Sequence, residues 1–321
     1  MTADLWFSIV ALPASLALLI MASDFFLTGA IAIAGRLNLP EFVVGSVIVA
    51  VGTSAPELAI NIAAGLEGQG DIVISNLVGS NIVNVCLGIG LAGLFVAYGP
   101  IGGEYTRALV IGLAASLALL AVTVMTGSGD HAVIPRVAGI GLTILFVVYV
   151  WQSLNGGGSA GAEADPGFSG PEKSLAASLA LLVGGCVAMA FLADMAVGSA
   201  VAISTYLGIP EAVIGATVIA AGGSLPEVFS CISAARKGRP NIVFGNIAGS
   251  QIFNLLGILG VTALVTEIVY SRHLAIDTAL LVVATLVLLA LARSAPARRV
   301  LPVALLAIYG IYGGYLVYVS G

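Results

Sequence analysis

Charge is scarce in this sequence. The 321 residues include 11 lysines and arginines, 16 aspartates and glutamates and 2 histidines, so 8% of the chain is charged, against roughly 25% in a soluble domain. With 60% of the residues apolar, too few polar side chains remain to cover a water-soluble globule, and the chain is expected to lie in a membrane. The basic residues are scattered among connections and the net charge is −5, which argues against a nucleic-acid partner. Cysteine is scarce too. Cys86, Cys186 and Cys231 stand in apolar stretches with no paired spacing, so neither a disulfide framework nor a zinc site is indicated. No lysine or arginine precedes the first apolar stretch, which begins near Leu5. That stretch lacks the charged start of a signal peptide and reads as a first membrane helix.

Long apolar runs are what the chain has in abundance. About 20 apolar residues cross the hydrocarbon core as a helix. Turn and charge punctuation divides the chain into ten such stretches, over residues 5–34, 40–64, 71–97, 105–126, 132–152, 174–204, 210–235, 241–266, 274–293 and 299–319. The expected fold class is an all-α integral membrane protein. The one long connection, residues 153–173, is rich in glycine, serine and alanine. It reads as a flexible linker, too short for a regulatory domain. Alternating connections sort the basic residues. Arg36, Arg107, Lys173, Arg236, Lys237, Arg239, Arg293, Arg298 and Arg299 fall on one side, and only Arg136 and Arg272 on the other. Excess positive charge marks the cytoplasmic side, which puts the linker in the cytoplasm and both termini outside it.

The chain repeats itself. Residues 40–94 align without a gap on residues 210–264, a constant offset of 170. The offset pairs Pro40 with Pro210, Glu41 with Glu211, Gly45 with Gly215, Ser54 with Ser224, Pro56 with Pro226 and Glu57 with Glu227. It also pairs Asn76 with Asn246, Gly79 with Gly249, Ser80 with Ser250, Asn84 with Asn254 and, upstream, Asp24 with Asp194. Chance likeness between apolar helices would match leucine to valine, not so many prolines and polar residues in register. Five spans per copy is an odd number, so the second copy (174–321) must enter the membrane from the side opposite to the first (1–152). Inverted repeats of this kind hold substrate at their interface near the midplane and support alternating access.

Four acids fall within the spans away from their ends: Asp24, Glu57, Asp194 and Glu227. A charged carboxylate at that depth costs about 2.5–3.5 kcal/mol on insertion scales, so a matched pair demands a function. Glu57 ends the run Gly52-Thr53-Ser54-Ala55-Pro56-Glu57, and Glu227 ends Gly222-Gly223-Ser224-Leu225-Pro226-Glu227. Proline has no N–H to give the carbonyl four residues earlier, here that of Gly52 or Gly222, so each helix is expected to break. Open backbone at membrane depth survives only where protein buries it or it lines a cavity. Carbonyls, hydroxyls and a carboxylate make an all-oxygen set suited to hard cations such as calcium and sodium, not to a soft metal. The following helix of each copy adds Ser80 and Asn84, or Ser250 and Asn254, four apart on one face, with glycines that let helices approach closely.

Other residues read as structural. Asp24 and Asp194 suit hydrogen bonding within the first and sixth spans, or an ion path. Glu41 and Glu211 follow prolines and suit the helix dipole. His131 and His273 lie near membrane ends. Tyr309, Tyr312, Tyr315 and Tyr318 have the spacing of an interface anchor on the last span.

The two segments resemble the paired alpha repeats of the cation/calcium exchanger superfamily, and the resemblance runs over essentially the whole chain. The short linker is similar to the prokaryotic sodium/calcium exchangers, which implies the plasma (inner) membrane of a prokaryote. The resemblance implies that Glu57 and Glu227 bind calcium in competition with sodium, with no cofactor. It gives ion ligands at Ser54, Ser224, Ser80, Ser250, Asn84 and Asn254. It also implies backbone carbonyl ligands at Ala50 and Ala220, and at Thr53 and Gly223. Access would switch as the first and sixth helices slide across the other eight. Two positions depart from the family pattern: Gly223 replaces the usual threonine, and Asn254 stands where some relatives carry aspartate.

The function expected is therefore a secondary antiporter exchanging calcium for sodium across the lipid bilayer. The alternative is calcium/proton antiport at the same two glutamates, since buried carboxylates readily take up protons and Asn254 lowers the site charge. An enzyme is not expected, because the sequence has no zinc motif of the His-Glu-x-x-His type and no nucleophile–base pair. A passive channel is disfavoured by the paired breaks.

Overall fold

Inside hydrocarbon a segment must pair its own N–H and C=O groups, which leaves the helix as the solution for a long apolar run. The computed structural model describes residues 3–98, 102–125, 129–156, 173–209, 214, 218, 220–292 and 295–320, and it is overwhelmingly helical. The helices are α1 (Ala3–Arg36), α2 (Glu41–Thr53), α3 (Ala55–Leu66), α4 (Gly70–Ala92), α5 (Gly103–Met125), α6 (Arg136–Gly156) and α7 (Leu175–Tyr206). They continue as α8 (Leu225–Arg236), α9 (Pro240–Val265), α10 (Ala275–Leu291) and α11 (Ala295–Ser320). Among the described residues eight helices are long and apolar enough to cross a membrane, and α2 with α3, bent by 48°, makes a ninth span. The expected span 210–235 begins largely outside the described residues. So do Pro210, Glu211, Gly215 and most of the 153–173 linker.

Burial sorts the helices into a centre and a rim. In α9, 89% of the apolar window is buried, and in α4, 72%. The share is 11% in α6 and 17% in both α7 and α11, so these helices present most of their surface outward. Two close approaches fix the arrangement. A side chain at Gly29 would begin 2.5 Å from the Leu182 backbone nitrogen, and one at Gly185 would begin 2.6 Å from that of Phe26. Helices α1 and α7 therefore touch backbone to backbone. Helix α2 meets α9 in the same way, since a Cβ on Gly249 would lie 2.2 Å from the Ser46 carbonyl oxygen.

The expectation of helices alone needs one correction. Residues His131–Ile134, the last three of which fall in the expected span 132–152, form β1, which pairs antiparallel with β2 (Ile268–Ser271). The span proper begins at Arg136. Both strands lie in short connections, carry β-branched residues and alternate in burial, which favours an extended pair. Ala132, Ile134, Ile268 and Tyr270 point inward. Asp71 fastens a third connection to them, accepting hydrogen bonds from the Ser271 backbone nitrogen at 2.5 Å and its hydroxyl at 2.7 Å. The three connections fall on the side assigned to the exterior by the basic residues.

Among the described residues π-helical segments run over Val44–Val49 in α2, Asn84–Gly88 in α4 and Phe253–Ile258 in α9. Such insertions concentrate at functional sites, and these begin at or adjoin Asn84, Asn254 and Ala50.

Candidate functional site

Each expected break is present. Between α2 and α3, Ser54 leaves helical geometry (φ −88°, ψ 11°), and before α8 Ser224 does the same (φ −93°, ψ 7°). Pro56 and Pro226 take positions in the first turn that follows, where a missing N–H is harmless. The chain thus restarts two short helices whose first turns carry Glu57 and Glu227. The carbonyl freed by Pro56, that of Gly52, does not stay open as expected. It accepts from the Cys186 thiol of α7 at 3.0 Å.

The site side chains lie deep in the protein. Glu57 is 1% exposed and Glu227 0%. Ser54, Ser224, Ser80, Ser250, Asn84, Asn254, Thr53 and Ala50 are buried with them. The two copies meet directly, because the Ser54 hydroxyl donates to Glu227 Oε1 at 2.7 Å. Thr53 returns its hydroxyl to the Val49 carbonyl at 3.1 Å. The Ala50 carbonyl accepts the Ser54 N–H at 3.1 Å and, more weakly, the Thr53 hydroxyl at 3.4 Å. Gly223 is exposed, and a Cβ there would meet nothing within 4 Å, so the space of the absent threonine side chain stands open. Ala220 opens the short turn Ala220–Gly222 ahead of Ser224.

Seven polar atoms of these residues are buried without a hydrogen-bond partner: Glu57 Oε1 and Oε2, Glu227 Oε2, Ser224 Oγ, Asn84 Oδ1 and Nδ2, and Asn254 Oδ1. Native proteins leave very few such atoms, and a buried carboxylate without a partner is among the costliest. Six of the seven are oxygens, which a hard cation would satisfy. Among the described residues no three His, Cys, Asp or Glu side chains gather to hold a metal. Two carboxylates must therefore work with neutral oxygens.

Sequence reasoning passed over the supports of this cluster. Asn61 Nδ2 donates to the Glu57 carbonyl at 2.7 Å and to Asn76 Oδ1 at 3.3 Å. Asn246 Nδ2 does the same for the Glu227 carbonyl at 3.4 Å. Asn81 Oδ1 accepts from Asn254 Nδ2 at 3.1 Å. Gln251 Nε2 donates to Ser116 Oγ at 3.1 Å and Thr285 Oγ1 at 3.0 Å, tying α9 to α5 and α10. Each is a polar residue within an apolar helix, and that was the available signal.

The residues read as structural also find places. Asp24 on α1 accepts from Ser233 and lies 3.1 Å from Lys237 Nζ and 3.9 Å from Arg236 at the end of α8. It reaches across to another helix instead of bonding within its own. Asp194 is exposed. Glu41 forms an ion pair with Arg239, a stronger role than a dipole-favoured first turn. His131 and His273 are both exposed. Tyr318 is 85% exposed, as an anchor would be, whereas Tyr312 donates to Asp277 at 3.2 Å.

Comparison with known proteins places this arrangement. The family model described as sodium/calcium exchanger protein matches residues 7–155 and 177–320. The sodium/calcium exchanger MaX1 of Methanosarcina acetivorans is 30% identical over 310 residues, covering 85% of this chain and 88% of the relative. The inner membrane protein YrbG of Escherichia coli is 31% identical, covering 80% of this chain and 81% of the relative. Structures of the sodium-calcium exchanger NCX_Mj soaked with sodium and strontium superimpose with a TM-score of 0.78 at 29% identity, over 96% of this chain and 97% of that one.

Proposed function

The chain belongs to the sodium/calcium exchanger protein family, and on that premise we propose that this membrane cation antiporter exchanges calcium for sodium at Glu57 and Glu227 by alternating access. The observation that carries the reading is the Glu57 carboxylate, 1% exposed and with both oxygens unpartnered, in the first turn after the break at which Ser54 Oγ donates to the second carboxylate, Glu227. No cationic side chain pairs with either glutamate among the described residues. One calcium ion neutralises the two carboxylates. Sodium ions displace it through the same oxygens, helped by Ser54, Ser224, Ser80, Ser250, Asn84 and Asn254 and by the backbone carbonyls of Ala50, Thr53, Ala220 and Gly223. The protein reorients only when the pocket is filled, so neither ion leaks down its gradient alone.

The fold in this reading has ten spans in two inverted copies, residues 1–152 and 174–321, joined by the cytoplasmic linker 153–173, with both termini outside. The offset of 170 supports it beyond the sequence. Positive φ recurs at Asn38 and Gly208 and at Gly68 and Gly238, and α3 and α8 are each 12 residues long. The backbone-tight pair α1–α7 packs against the breaks, since a Cβ on Gly52 would strike Phe26 and one on Gly222 would strike Val197. These two helices are the moving unit, and they slide over the remainder to open one side or the other.

The test is calcium-45 uptake into proteoliposomes loaded with sodium, choline or acid. Uptake that needs internal sodium supports the reading. Uptake driven by internal acid without sodium would transfer the same two glutamates to calcium/proton exchange, and uptake indifferent to either counter-ion would overturn antiport.

A further inference from the structure

We infer that Asn81 is a positioning residue of the ion site: it holds the Asn254 amide so that its oxygen, not its NH2, is offered to the cation. The inference rests on the exchange reading above. An asparagine amide is two-faced. Its carbonyl is a good ligand for calcium or sodium, and its NH2 is a donor that repels them. Where a carboxylate would present oxygen whichever way it turned, Asn254 must be held one way up. Asn254 is fully buried in the π-helical segment of α9, and its Nδ2 donates to Asn81 Oδ1 of α4 at 3.1 Å. Its Oδ1 is left buried and without a partner. Asn81 is itself 0% exposed, so water does not compete for the bond.

The repeat supplies a control within the molecule. The residue equivalent to Asn254 is Asn84, and both atoms of its amide are unpartnered. The residue equivalent to Asn81 is Gln251, one methylene longer. Its NH2 is spent on Ser116 and Thr285 of two outer helices, so it serves the packing of α9 instead of a site amide. At these equivalent positions one site amide has its NH2 taken by a neighbour and the other has no partner on either atom. The fixed one stands where some relatives have the aspartate that this chain lacks, so Asn81 compensates in orientation for what Asn254 lacks in charge.

The experiment uses the full chain in sodium-loaded proteoliposomes and reads the external calcium that half-saturates calcium-45 uptake, separately from the maximal rate. Asn81→Leu removes the acceptor and is expected to raise half-saturation roughly two- to tenfold, the range for one lost neutral hydrogen bond, with the maximal rate little changed. Asn81→Asp can still accept from Asn254 and is expected to keep or tighten half-saturation. In an Asn254→Asp background, Asn81→Leu is expected to lose its effect, because a carboxylate needs no orienting. Three results would overturn the inference while the wild type exchanges normally: wild-type half-saturation in Asn81→Leu, weakened calcium binding in Asn81→Asp, or an equal Asn81→Leu effect in the Asn254→Asp background. Asn81→Asp retains size and polarity, so its result decides even if Asn81→Leu fails to fold. A wild type that takes up no calcium against either counter-ion would instead overturn the exchange reading, and this inference with it.

Discussion

Glu57 is the residue on which the chemistry turns. Its carboxylate is buried with neither oxygen paired, so in ion-free protein it is a liability, which in the proposed exchange calcium would convert into a bond. Glu57→Gln is expected to leave the ion-free protein at least as stable as the wild type and to abolish the rise in melting temperature on adding calcium, both read by thermal unfolding in detergent. Loss of one charge-assisted contact of about 1.5–3 kcal/mol corresponds to roughly 10- to 150-fold weaker calcium binding. Ser54 also bears on the second carboxylate. Its hydroxyl is the recorded donor to Glu227 Oε1, so Ser54→Ala should weaken calcium half-saturation less than Glu57→Gln does. An unchanged value in transport assays would separate that bond from the ion site.

At the scale of elements, the contact between α1 and α7 leaves no room for a side chain. The Gly185 Cβ would meet main-chain atoms of Phe26, which cannot swing aside as a flexible side chain could. Gly185→Leu is expected to separate the two helices and yield aggregated protein, read by size-exclusion chromatography. A monodisperse variant with wild-type transport would show that the pair need not travel as one body. Asp24 joins this pair to the end of α8 through Lys237 and Arg236. The groups are partly exposed, so the tether is worth no more than about 1 kcal/mol. At the position equivalent to Lys237 the first copy has Glu67, an acid, so the repeat does not reproduce this tether for Asp194. Asp24→Asn is accordingly expected to speed hydrogen exchange in the last turn of α8 and the facing stretch of α1, with no matching change around Asp194.

For the whole molecule, orientation is the property with consequences beyond the site. In the proposed topology, the side with nine basic residues against two is the cytoplasmic one. The exterior is then the side where Asp71, β1 and β2 fasten three connections together. A cysteine appended after Gly321 should react with an impermeant maleimide in intact cells, and one placed in the 153–173 linker only after lysis. The reverse pattern would invert the topology and the direction assigned to each face.

The sequence by itself determined the membrane class, the two copies, the broken helices at Ser54 and Ser224, and the pair of glutamates. These are local properties: an apolar run, a proline four residues from a carbonyl, an acid where acids are costly. Only the tertiary structure decided which groups from distant parts of the chain meet. The bond from Ser54 to Glu227, the hold of Asn81 on Asn254, the thiol of Cys186 on the Gly52 carbonyl and the reach of Asp24 to Lys237 all join elements remote in sequence. No periodicity reports such pairings, because they depend on how helices are rotated and staggered against one another. The strand pair was hidden for the same reason. Four residues of β1 are ambiguous alone and become a strand when β2 supplies the other half of the hydrogen bonds. The π-helical segments that carry Asn84 and Asn254 likewise had no signal in the sequence pattern.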